Sequence, residues 1–173
     1  SRTCPFPIEN PMHSSFVPYR LAAAYLKQRL PSTDDLDVGI ICGSGLAGLS
    51  NVVEDRIHIP YTDIPGYQDC TVAGHSGDVV YGTLSGTKVL CFRGRFHSYE
   101  GHSLHTTALP VRVMRCLGIR TVIITNASGA LNPGYKQGDI ICLSDHVALP
   151  QLTGSNPLMG PNDEEMGTRF PAM

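Results

Sequence analysis

Much of the chemistry this sequence can offer lies in nine residues. The stretch RGRFHSYEG, residues 93–101, sets Arg93, Arg95, His97, Tyr99 and Glu100 directly after the apolar run Val89-Leu90-Cys91-Phe92. Arg95 offers a planar fork suited to phosphate oxygens, and in an extended backbone His97 and Tyr99 project to the same side. That pattern suits an anion gripped by Arg95, with His97 as proton donor and Tyr99 as a flat wall for a sugar. A solvated strand end with ordinary surface charge is the competing reading. A metal site is a poorer one, because His97, His102 and His105 fit no common zinc spacing and no cysteine lies close by.

Three other loops have compatible chemistry. ICGSGLAGL puts Gly43, Ser44 and Gly45 after an apolar run, where backbone N–H groups and a hydroxyl can cradle an anion. No Gly-Lys-Ser/Thr follows, so this is not a P-loop. Gly43, Gly45 and Gly48 do match the dinucleotide spacing, but the acid that reading needs is missing: Asp63 sits in YTDIPGY, a turn-like stretch. AGHSGD holds His75 between two glycines, which alone reads as a surface turn. In ITNASGALN, Asn126 follows another apolar run, and Ala127, Ser128 and Gly129 are small enough to let a ligand reach the backbone. Together these loops are harder to dismiss, since ligands of α/β sheets collect outside strand ends.

The elements that must hold these loops follow from the hydrophobic pattern. Residues 17–30 carry Leu21, Ala24, Tyr25 and Leu30 near helical spacing and stop at Pro31, which predicts an amphipathic helix. DVGIICG, RTVIIT and DIICLS read as buried strands, and VVYGTLSGTKVLCF as a hairpin turning at Ser85-Gly86. Residues 103–117 suit a helix with a boundary or kink at Pro110. From Pro150 onward, Gly, Pro, Asn and Asp predict a long loop. Strands and helices interleave, so the expected class is α/β with a mixed sheet, because the hairpin is antiparallel.

Composition narrows the function classes. The 173 residues are enough for one domain with a sizeable core, and 13 basic against 15 acidic residues leave a net charge of −2, with no basic field for nucleic acid or anionic membrane. Apolar runs such as residues 38–42 and 122–124 are far too short to span a bilayer. The six cysteines include no CxxC pair, and Cys42, Cys91 and Cys142 read as buried small hydrophobes, which predicts a reducing, cytoplasmic setting. The chain opens on Ser and stops on RFPAM without a closing element, so a fragment is expected.

GIICGSGLAGL, VAGHSGD, GRFHSYEG, ALPVRVMRCLGI, TNASGALNPGYKQGDI, DHVALP and GPNDEEMGTRFPAM resemble the trimeric purine nucleoside phosphorylases in order and spacing, from Asp37 to Met173. The sibling 5′-methylthioadenosine phosphorylases are a second reading; they look different around the Arg-His loop and commonly have Thr where this chain has Ser44. The resemblance implies a three-layer α/β/α fold with a mixed central sheet, in a single domain, and reversible phosphorolysis of purine ribonucleosides to the free base and ribose 1-phosphate. Phosphate is then the nucleophile and co-substrate, with no other cofactor and no metal.

By the same similarity, Ser44, His75, Arg95, Phe96, His97, Asn126 and Ala127 hold phosphate, and His97 exchanges a proton with it. Tyr99, Ala127 and Leu152 meet the nucleoside. A homotrimer is implied, with Leu152 where many relatives lend a phenylalanine to the neighbouring subunit's sugar site. NASGALN stands where the family usually has NAAGGLN. The family's base-reading glutamate and asparagine, and a late serine on phosphate, fall after Met173. An inactive binding or assembly partner is therefore the alternative to an enzyme, and the preference among inosine, guanosine and adenosine is left open.

Overall fold

The structure, a computed structural model, describes residues 17–43, 45–68 and 77–170. Helix α1 (Val17–Arg29) runs as its Ala-rich composition predicts, with Lys27 and Arg29 in the last turn, where the helix dipole favours cations. Its buried stripe is Tyr19, Ala22, Ala23 and Leu26, continued by Leu30; Leu21 faces outward. The sequence pattern thus gives the helix but misplaces its inner face by about one position, because Tyr19 and the small alanines are what pack into the larger core, where α1 meets the helix at Leu109–Cys116.

Five strands follow: β1 (Leu36–Cys42), β2 (Glu54–Pro60), β3 (Asp78–Leu84), β4 (Thr87–Arg93) and β5 (Thr121–Ile124). They form one mixed sheet in the order β2-β3-β4-β1-β5. β1 runs parallel to both β4 and β5, whereas β2-β3 and β3-β4 are antiparallel. Ser85 and Gly86 close the β3-β4 hairpin with φ of +48° and +79°, the left-handed pair that matches strand twist in a two-residue turn.

Alternate strand residues feed two cores. Leu36, Ile41, Val79, Tyr81, Leu90 and Phe92 join α1 and helix α3 (Leu109–Cys116) in the larger one. Ile40, Cys42, Val80, Val89 and Cys91 form a smaller one with Val53 on the other face, where the 3-10 helix Ala47–Val52 lies. Pro110 sits in the first turn of α3, where its missing N–H costs nothing, and separates α3 from the short α2 (Leu104–Thr107).

Four expectations are corrected. DIICLS is not a strand: among the described residues it pairs with no neighbour, Ile140 is 96% exposed, and strand geometry needs a partner for its backbone groups. Cys142 in that segment is accordingly exposed, whereas Cys42 and Cys91 are buried as expected. β5 forms, but as an edge strand with Val122, Ile123 and Ile124 exposed. The loop after Pro150 contains a short α4 (Leu149–Leu152) at its start and one 3-10 turn at Glu164–Met166.

Candidate active site

Because β1, β4 and β5 are parallel, their carboxyl ends emerge side by side, and the segments with Gly43, Arg95 and Asn126 leave from those ends. Gly43 follows β1. A Cβ there would lie 2.3 Å from the Thr125 carbonyl oxygen, 3.0 Å from Asn126 Cα and 3.1 Å from Arg95 Nη2. Only glycine fits so close a meeting of the three segments. The junction is fastened by Thr125: its Oγ1 accepts from the Gly43 N–H (2.9 Å) and donates to the Ile41 carbonyl (3.1 Å). Arg95 Nη2 therefore lies against Gly43 where that residue meets Asn126.

The turn after Arg95 shapes the histidine. His97 is extended (φ −117°, ψ 146°) and caps the 3-10 turn Ser98–Glu100, which ends at Gly101 in the left-handed conformation. Glu100 reaches back so that its Oε2 accepts from the His97 backbone N–H (3.0 Å) and lies 2.7 Å from Nδ1. A carboxylate can only accept, so Glu100 favours a proton on Nδ1 and fixes the direction of the ring. Tyr99 stacks on the His97 ring at 4.8 Å between centroids and is 75% exposed, so it shares a wall with His97 although the backbone turns rather than staying extended.

The other site residues divide. Phe96 is buried among Tyr61 and Tyr67, at 5.8 and 5.6 Å, and meets His102 edge-on at 5.0 Å. Its side chain is core, so only its backbone can serve a ligand. Asn126 and Ala127 are exposed beyond β5, and Leu152 is 79% exposed on α4. Ser44 and His75 lie outside the described residues.

Sequence reasoning missed several residues around the site. Glu100 could have been found from its spacing of three from His97, which a helical turn brings together. Tyr61, whose hydroxyl donates to the Gly94 carbonyl (2.9 Å), gave no such signal. Arg93 and Arg95 look equivalent in sequence but differ in space: the Arg93 fork grips the Asp78 carboxylate, with Nε donating to Oδ1 at 2.6 Å and Nη2 to Oδ2. Burial, then the charge of Cys42, push the Cys91 thiol up to about 12 against the pull of nearby Arg93, so that thiol is inert at neutral pH.

Comparison with known proteins agrees with this fold. The family model described as "Phosphorylase superfamily" matches residues 37–173. Purine nucleoside phosphorylase 1 of Geobacillus stearothermophilus is 46% identical over 152 residues, 88% of this chain and 54% of that protein. The purine nucleoside phosphorylase of Bos taurus is 48% identical over 136 residues, 79% of this chain and 47% of its own. The crystal structure of the Schistosoma mansoni purine nucleoside phosphorylase in complex with adenosine superposes with a TM-score of 0.80 at 47% identity, covering 89% of this chain and 53% of that one. The chain spans about half the length of the curated relatives it matches. A glycine-tight junction of parallel strand ends, an arginine against it and this continuous match from Asp37 onward all lead to one conclusion: the chain belongs to the phosphorylase superfamily.

Proposed function

We propose that the protein catalyses the reversible phosphorolysis of purine ribonucleosides, giving the free base and ribose 1-phosphate. The observation that carries this reading is the placement of the Arg95 guanidinium against Gly43 and Asn126 at the ends of β1 and β5. In this reading Arg95, His97, the backbone at Phe96, Asn126 and Ala127, and the loop residues Ser44 and His75 surround phosphate. Tyr99, Ala127 and Leu152 meet the nucleoside.

The reaction needs no protein nucleophile. A phosphate oxygen forms the new bond to the ribose anomeric carbon as the glycosidic bond breaks, and the electron pair of that bond leaves with the purine. Arg95 holds the anion in place and His97, steadied by Glu100, supplies or takes its proton. The phosphate negative charge then faces the positive charge that develops on the sugar, so catalysis rests on position and electrostatics. Inorganic phosphate is the co-substrate and no further cofactor is invoked. The domain reading is one nucleoside phosphorylase domain, acting as a homotrimer in the cytoplasm.

The test is product analysis. Full-length protein mixed with inosine and inorganic phosphate is followed by phosphorus NMR and by absorbance. Appearance of ribose 1-phosphate in step with hypoxanthine, and neither without phosphate, is the expected result. Release of base without a sugar phosphate would mean hydrolysis and would overturn the proposal.

A further inference from the structure

A second charged cluster lies beside the site. Asp78 opens β3 and Arg93 closes β4, and the two are cross-strand partners at the end of the hairpin away from its turn. Their side chains meet fork to fork, largely buried, on the sheet face that carries the smaller core. His58 of β2 adds Nδ1 at 3.0 Å from Asp78 Oδ2, and Arg93 Nη1 donates to Ser50 Oγ at 3.4 Å. One ion pair thus joins β2, β3, β4 and the 3-10 helix that follows the glycine loop.

The backbone around it is equally tied. The Gly77 N–H donates to the Arg93 carbonyl (2.9 Å), and Tyr61 reaches both sides, its N–H to the Gly77 carbonyl (2.8 Å) and its hydroxyl to Gly94. Asp78 follows His75 by three residues, Arg93 precedes Arg95 by two, and Ser50 follows Ser44 by six. The cluster therefore stands where β4 gives way to the Arg95 segment, with β3 beginning beside it after Gly77.

We propose that Asp78 and Arg93 are positioning residues for the phosphate site: their bidentate pair sets how the Arg95 loop leaves β4, and it keeps Arg93 on the smaller-core face so that Arg95 alone meets the anion. This rests on the phosphorolysis reading above. The hairpin has seven cross-strand pairs, so its register survives loss of the last one. The effect of losing the pair falls on the open end and on the loops leaving it. Arg93 released from Asp78 would also be a second guanidinium near the phosphate site, able to draw phosphate into an unproductive position.

The experiment is steady-state phosphorolysis of inosine by the full-length protein, with Asp78→Asn, Arg93→Gln and Arg93→Lys, each also melted thermally. Asp78→Asn and Arg93→Gln are expected to raise the KM for phosphate about tenfold, the effect of losing a charge-assisted pair, while the KM for inosine stays within about twofold. Arg93→Lys keeps the charge without the fork and should fall between wild type and Arg93→Gln, also covering the case in which Arg93→Gln folds poorly. An active wild type whose variants lose thermal stability at unchanged phosphate KM, or whose two KM values rise together, overturns the positioning role alone. A wild type with no phosphate-dependent release of hypoxanthine overturns the phosphorolysis reading and this inference with it.

Discussion

His97 and Glu100 show how much of a site can hang on one turn. The pair is joined by the Ser98–Glu100 turn and by two contacts to one carboxylate oxygen. Glu100→Gln should therefore leave the fold intact but lower kcat about ten- to hundredfold, since the amide can donate to Nδ1 and stabilise the wrong tautomer. Rapid-quench measurement of the first turnover checks this; an unchanged rate would remove Glu100 from the proton path. Gly43→Ala should be worse for folding than for chemistry. Its methyl would sit 2.3 Å from the Thr125 oxygen, and overpacking of this kind costs roughly 1–3 kcal/mol, visible as a lowered Tm. At this scale residue type alone marks Arg95 and His97 as candidates for chemistry. It was silent on the Arg93–Asp78 pair, because Asp78 is fifteen residues from Arg93 and meets it only through hairpin register.

Among the elements, α1 is tied to the loop near the end of the described chain. Tyr19 donates its hydroxyl to Asp163 Oδ2, and Arg20 bridges Asp163 at 3.0 Å and Glu165 at 2.7 Å. Burial opposes the charge on Asp163, but hydrogen bonds from Tyr19 and Arg20 and the Arg20 charge outweigh it, so its pKa lies below the ordinary carboxylate value. A lowered native pKa means the contribution to stability is present above the unfolded value, near about 4, and is lost as pH falls through the native one. Asp163→Asn should lower stability by roughly 1–3 kcal/mol at neutral pH and flatten the acid side of a Tm-against-pH profile. An acid side as steep as that of wild type would contradict this. The hairpin and α1 were legible because turn chemistry and helix periodicity are local. DIICLS was misread because an apolar run shows strand propensity, while a strand also needs a neighbour, which no local pattern reports. β2 went unnoticed for the opposite reason: EDRIHIP is mostly polar, and pairing with β3 makes it a strand.

For the whole molecule, exposure divides the cysteines by reactivity. Among those described, Cys142 should react with a thiol reagent at neutral pH, whereas Cys91 should react only on unfolding; labelling of Cys91 in the native protein would mean that the smaller core opens. The proposed homotrimer predicts a sedimentation coefficient of three associated chains for the full-length protein, and a stable monomer at micromolar concentration would oppose it. In that proposed trimer Leu152 would be lent to a neighbouring sugar site, so Leu152→Phe should tighten nucleoside binding a few-fold through added aromatic area. The trimer reading comes from the resemblance alone, since nothing in the periodicity of this chain encodes a partner. The central claim, that Arg95 at the junction of β1, β4 and β5 grips the phosphate that attacks the nucleoside, is tested most directly by varying phosphate at saturating inosine in wild type and Arg95→Ala. Loss of a charge-assisted bidentate contact, about 1.5–3 kcal/mol, should lower kcat/KM for phosphate roughly ten- to more than hundredfold with Tm nearly unchanged. A phosphate dependence identical to wild type would contradict the account.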